Sequence, residues 1–220
     1  MTLLLRYYNL NRFHLSLFII LGNLALIWLS KSVLINEIAF YNAYSEQLTY
    51  DRALQLFEDF QSISWVSYVF GPVILLIKFS LVSLVLYIGI IFNNIQYKVP
   101  LGSVFKIVIA SDIVFLLSGL TKFIWFYFFA GNYNLNDIAF FYPLSLINIF
   151  EITEVEKIWV YPMQTVNMYH LAYLVLLSYG LNNVCKIEKS YSDKIVLLSY
   201  VPALILWVTL IMFITIDTLQ

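Results

Sequence analysis

Residues 106–129 read KIVIASDIVFLLSGLTKFIWFYFF, apolar enough to cross a bilayer yet carrying Asp112 and Lys122, with Ser111, Ser118 and Thr121 beside them. Lys78 and His170 also fall inside apolar runs. An ionisable group in hydrocarbon is costly and is a candidate functional residue by default. Such groups could hold an anion, carry a proton, or pair with one another as a structural tie. Other chemistry has little to work with. Cys185 is the one cysteine, and His14 and His170 are the two histidines, far apart, so no zinc pattern forms. The chain has no Gly-rich phosphate loop, HExxH or GxSxG motif, and no basic block of the kind that binds nucleic acid. We therefore expect no metal, no cofactor, no nucleic-acid partner and no enzymatic activity.

Composition sets the class of the elements that position these residues. The chain of 220 residues is 62% hydrophobic and 11% charged, with mean hydropathy +0.85. A soluble domain averages about 25% charged residues. This much apolar surface points to an all-α, polytopic transmembrane bundle in contact with lipid. Five runs are long enough to span: about 15–33, 72–92, 105–129, 166–185 and 194–216. The first follows Arg6 and Arg12 and ends in IWLSKSV without an A-x-A-like cleavage site, so it is expected to be retained. Gly71-Pro72 is expected to open the second span, with Pro in its first turn, and Pro202 to kink the fifth.

Basic residues set the orientation. Arg6, Arg12, Lys98, Lys106, Lys186, Lys189 and Lys194 share one side if there are five spans, and the other side is acidic. This predicts a multi-pass protein of the inner (plasma) membrane with a cytoplasmic N-terminus and an external C-terminus. Trp28, Trp65 and Trp125 read as outer interfacial anchors, and Tyr7, Tyr8 and Tyr97 as inner ones. The outer segments, 34–71 and 130–165, are more than linkers. Leu54, Phe57, Phe60 and Ile63 recur at helical spacing, which predicts an amphipathic helix over 51–63, covered by the protein itself, a partner or the membrane surface. FFYPLSLINIF is apolar but too short to span, and with Pro143 at its start it predicts a short hydrophobic cap.

Depth decides which polar groups can meet. Counted from inner ends at Phe92, Phe105 and Cys185, Lys78, His170 and Lys122 lie about 21, 22 and 25 Å up. Asp112 lies about 10 Å up and Ser83 about 13 Å. The separation disfavours a Lys78–Asp112 pair, as does the outward lean of Lys78 on a helix entering from outside. Two arrangements stay open for Lys78, Lys122 and His170. The lysines could snorkel outward to Glu151, Glu154 or Glu156, or the three could line an outward pocket for a lipid phosphate or a carboxylate. Asp112 is expected to hydrogen-bond Ser83, Asn182 or Asn183 in an interhelical contact; carrying a proton for a transporter is the alternative.

Three stretches carry a resemblance: the turn VPLGSVFKIVIAS into the third span, the paired last spans LSYGLNNVCKIEKSYSDKIVLLSYVPALILWV, and the five-span layout. In these the chain resembles the Yip1-like family of membrane proteins over roughly residues 15–216, and YPLSLINIF and YPMQTVNMYHLAYLVLLSYGL are similar to membrane proteins of Bacteroidota. The resemblance implies a non-enzymatic scaffold or subunit of a larger membrane complex and transfers no catalytic residue. A small transporter or permease subunit using Asp112, Lys78, Lys122 and His170 is the second expectation. A lipid-acting enzyme with His170 as base is a remote third.

Overall fold

The structure is a computed structural model and describes residues 3–44, 47–93, 99–151 and 155–217. Every regular element among them is helical, and extended pairing is limited to one antiparallel bridge between Ser145 and Asn167. The helices are α1 (Leu3–Tyr8), α2 (Arg12–Leu29), α3 (Glu37–Tyr44), α4 (Tyr50–Ile63), α5 (Trp65–Phe92), α6 (Leu101–Ser111), α7 (Ile113–Phe128), α8 (Leu135–Phe140), α9 (Lys157–Thr165), α10 (Met168–Val184), α11 (Lys189–Ile195) and α12 (Val201–Asp217).

Four continuous helical stretches are long and apolar enough to cross a membrane: Arg12–Leu34, Trp65–Phe92, Leu101–Phe128 and Lys189–Ile216. The fourth expected span is α10, a helix of 17 residues. The second span begins at Trp65, so Pro72 lies within α5 and does not open it. The reason is local. Residues 65–70, WVSYVF, are themselves apolar, and Lys31 donates to Ser64 O at 2.8 Å and Ser67 Oγ at 2.9 Å. That cation meets the exposed carbonyl end of α4, where positive charge is favoured. Pro202 is accommodated by a wider turn, since Val196–Tyr200 is π-helical just before it. Such a turn absorbs a helix irregularity without ending the helix.

α6 is the centre of the bundle. Val104, Ile107, Val108, Ile109, Ala110 and Ser111 are all buried, so this helix is enclosed all round. α1, α2, α5 and α10 pack against it, and α11 with the following π turn closes behind α5 and α10. Small residues bring the helices together. A Cβ on Gly22 would lie 2.8 Å from Leu116 and one on Gly119 2.9 Å from Leu26, reciprocal close contacts between α2 and α7. Gly89 meets Ser199 and Gly180 meets Ile107 and Tyr8 in the same way. In a membrane, close packing of this kind replaces the hydrophobic drive that holds soluble helices together. The outer faces carry large exposed apolar side chains, among them Phe18 and Leu21 on α2, Ile74, Ile77, Leu81, Leu84 and Ile88 on α5, and Leu206 and Phe213 on α12. Those surfaces suit lipid contact.

The amphipathic helix expected over 51–63 is α4, and the protein covers part of its apolar side: Phe57 and Phe60 meet Phe40 of α3 with ring centroids 5.6 and 5.9 Å apart, while Phe60 and Ile63 stay exposed. The segment that follows the third span folds back over that span's C-terminal end. Phe141 stacks on Trp125 at 5.6 Å and meets Phe126 edge-on at 5.4 Å. Gln164 donates to Phe140 O at 2.8 Å, and Trp207 Nε1 donates to Tyr161 Oη at 2.9 Å, tying the cap to α12. Of the apolar residues in LSLINIF, only Ile147 is buried; Leu144, Leu146, Ile149 and Phe150 are exposed. The regular structure within this stretch is a 3-10 turn over Leu146–Ile149.

Candidate functional site: an ion pair at a joint in the third span

The third span is made of two helices, and Asp112 is the joint between them. Its backbone has φ −66° and ψ −11°, and its N–H is shared between Val108 O and Ile109 O at 3.2 Å each. Phe115 N–H then donates to Asp112 O at 3.0 Å. This is a tightened, 3-10-like turn inside a long helix, a feature that often marks strain or a hinge. The joint contains neither Pro nor Gly. The Asp112 side chain is 1% exposed and accepts a hydrogen bond at Oδ1 from Lys78 Nζ of α5.

This pairing corrects the depth arithmetic. The third span begins at Leu101, four residues earlier than taken from the sequence, which lifts Asp112 by about 6 Å. The remaining offset of about 5 Å is within reach of lysine's four-carbon stem. Asp112 does not bond the expected partners. Ser83 Oγ donates to Phe79 O at 2.6 Å and Asn182 Nδ2 to Ile187 O at 2.7 Å, while Asn183 Nδ2 donates to Tyr179 O at 3.0 Å.

Aromatic rings enclose the pair. Lys78 Nζ stands 4.0 Å from the Phe115 ring centroid and 5.8 Å from that of Tyr173, within cation–π range. Tyr173 is fully buried, with Phe115 at 4.9 Å and Tyr200 at 5.5 Å. Tyr8 enters from α1. Its hydroxyl donates to Leu176 O at 2.8 Å, which leaves Ser111 Oγ to donate to it at 2.9 Å. Tyr8 is thus a buried bridge between α6 and α10 and not the interfacial anchor expected of it. Tyr7 lies beside it, and burial pushes its phenol up to about 12, with the Asp112 carboxylate adding to the rise. Burial raises the phenol of Tyr142, in the segment after α8, and the nearby Ser118 opposes the rise.

His170 stays close to the pair, near enough to Lys78 to feel its charge, and its ring meets Phe115 edge-on at 4.9 Å. It is held by Asn167, the N-cap of α10. Asn167 Oδ1 accepts from His170 N–H at 2.7 Å, so its Nδ2 faces His170 Nδ1 at 3.2 Å. Nδ2 also donates to Gln164 O at 2.7 Å and to Thr165 O at 3.1 Å, so its two protons are shared among three acceptors.

Lys122 does not join this group. Counted from Leu101 it lies about 31 Å up, roughly 10 Å beyond Lys78, and among the described residues it forms no ion pair or hydrogen bond. The tie to Glu151 or Glu156 is not formed either: among the described residues the ion pairs are Lys78–Asp112 and Lys189–Asp193, and Glu151 and Glu156 are exposed. Glu154, Tyr97 and Lys98 lie outside the described residues. Among the described residues no group of three or more His, Cys, Asp or Glu could hold a metal ion. The cleft of about 180 Å³ between α2 and α5, lined by Ile20, Asn23, Leu24, Ile27, Pro72 and Leu75 among others, includes neither Lys78 nor Asp112.

Residue reasoning missed Tyr173, Tyr8 and Asp193, whose Oδ1 accepts from Ser178 Oγ and ties α10 to α11. Tyr173 could have been found by counting depth, since it lies eleven residues inside the Val184 end of α10, too deep for an interfacial anchor. The chain matches no protein-family model, no curated protein and no solved structure.

Proposed function

We propose that this chain is a five-span integral membrane protein of Yip1-like type, acting as a non-enzymatic scaffold or subunit of a larger membrane complex in the inner membrane. The observation that carries this reading is the use made of the buried polar groups. Lys78 and Asp112 tie α5 to the joint of the third span, Tyr8 ties α1 to α6 and α10, and Asp193 ties α11 to α10. Charges spent on each other hold helices in place. α10 supplies the fifth crossing: 17 residues rise about 26 Å, near the thickness of the hydrocarbon core, and α10 packs on α6 and α11. Five crossings put the basic turns inside and leave the C-terminus outside. Isolation in mild detergent after in-membrane cross-linking tests the scaffold reading. A stable assembly with other membrane chains is expected; a monodisperse monomer without partners counts against it.

A second reading has its own observation. Discontinuous spanning helices mark transporter sites, and the third span has an irregular, tightened turn at the ionisable Asp112, between α6 and α7. In that reading the chain is a small transporter or permease subunit that moves a proton-coupled solute past the pair. Reconstitution in liposomes separates the two, because a transporter loses pH-dependent flux on Asp112→Asn, whereas a scaffold shows no flux to lose.

A further inference from the structure

We propose that the groove between α2 and α5 binds one phospholipid, with an acyl chain in the cleft and the phosphate on Lys31. The cleft of about 180 Å³ is lined by Ile20, Leu24 and Ile27 of α2 and by Gly71, Pro72 and Leu75 of α5. Its polar lining residue, Asn23, donates back to Ile19 O of its own helix at 2.9 Å. A Cβ on Gly71 would lie 3.3 Å from Ile27 Cδ1, so the two helices run close together at that end of the cleft. Lys31 follows Ile27 by one turn, about 6 Å along the helix. Ser67, one turn before Gly71, accepts at Oγ from Lys31 Nζ at 2.9 Å. The cleft and the ammonium therefore succeed one another along the same seam between α2 and α5.

Charge selects the occupant. Lys31 Nζ also donates to Ser64 O at 2.8 Å, so two of its three protons are used. Among the described residues the third has no acceptor, and no carboxylate lies within ion-pair distance. The Phe60 and Tyr68 ring centroids stand 5.6 and 5.4 Å from Nζ, so its neighbours are neutral and the positive charge is not cancelled. Trp28 and Trp65 are exposed at this end of the two helices, as suits a membrane interface. Basic pockets between membrane helices take lipid head groups. An anion with a slim apolar tail matches both parts of the groove. A partner helix is about 10 Å across and fills roughly 400 Å³ per turn, more than the cleft holds. The site requires only that these spans lie in lipid, whichever role the chain has.

Native mass spectrometry of the full-length protein in mild detergent tests this by counting bound lipid. The probes are phosphatidylglycerol, diacylglycerol with the same chains, and inorganic phosphate. One phosphatidylglycerol per chain is expected, held about tenfold more weakly by Lys31→Gln and retained by Lys31→Arg. Leu24→Trp, which fills the cleft, should lose the lipid with Lys31 intact. Diacylglycerol should bind the parent no better than phosphatidylglycerol binds Lys31→Gln. The proposal is overturned if Lys31→Gln or Leu24→Trp holds phosphatidylglycerol as tightly as the parent, or if diacylglycerol binds the parent equally well. It is also overturned if inorganic phosphate alone binds as tightly as the lipid. A parent dimer that Leu24→Trp converts to monomer with lipid binding unchanged overturns it too, since a second copy then covers the groove. If Leu24→Trp does not fold, Lys31→Gln against Lys31→Arg still decides.

Discussion

Lys78 and Asp112 show how differently two halves of one ion pair can be placed. The Asp112 side chain is 1% exposed and that of Lys78 33%, so the lysine runs along the edge of the bundle and turns its ammonium inward. Removing one buried partner strands the other charge, which costs about 3–5 kcal/mol. Lys78→Met should therefore lower thermal stability in detergent markedly. The double variant Lys78→Met, Asp112→Leu should recover most of the loss, because no stranded charge remains. Equal stability of the single and double variants would show that the pair is not formed. Tyr7 gives a pH prediction of definite sign. Its folded pKa, about 12, is above the ordinary phenol value of 10.0, so folding favours its protonated form. Its contribution is complete below pH 10 and is lost as pH rises toward 12. Raising the pH from 10 to 12 should therefore lower the melting temperature of the parent relative to that of Tyr7→Phe. The ionisable residues were legible in the sequence because hydrocarbon makes them conspicuous. Their partners were not, since a four-residue error in one helix start moves a side chain by about 6 Å.

Among the elements, α10 depends on both its cap and its packing. Asn167 caps its first turn and also holds His170 through Nδ1. Asn167→Ala should cost about 1 kcal/mol of stability, and a proton NMR titration should show His170 in a changed environment, while Asn167→Asp should retain the cap. Gly180 lets α10 approach α6 and α1: a Cβ there would come within 2.9 Å of Tyr8 Cε1 and closer still to Ile107. Gly180→Leu should destabilise by about 1–3 kcal/mol or more through overpacking. Gly131, with nothing within 4 Å of an added Cβ, should accept Ala with little change, as circular-dichroism melts of the two variants would reveal. Helix positions were readable from hydropathy because each run is apolar along its whole length. The outer end of α5 was misplaced because Pro72 resembles a first-turn proline, and the turn it was thought to begin is extended by WVSYVF and braced by Lys31.

At the scale of the molecule, α10 decides the topology. Five crossings put the turn after Cys185 on the same side as Arg12, whereas four leave it opposite. Single cysteines at Ser190 and at Asn132, in a Cys185→Ser background, should be labelled by an impermeant maleimide from opposite faces, with Asn132 reached from outside. Labelling of both from one face would remove the fifth span. The outer cap should move with the bundle, because Trp207 of α12 bonds Tyr161 and Phe141 stacks on Trp125.

Composition and the spacing of apolar runs, read without coordinates, determined that this is an all-helical chain with membrane-spanning segments. Burial of backbone in lipid leaves few other solutions, and a helix reports its length through local hydropathy alone. Tertiary structure alone decided that Lys78 faces Asp112, that Tyr8 bridges Ser111 to Leu176, and that Lys122 stands apart. Those outcomes depend on how far each helix extends past its apolar core and on which small residues let neighbours approach, such as Gly180 against Tyr8. Such distances are set between segments remote in sequence, so no local pattern encodes them.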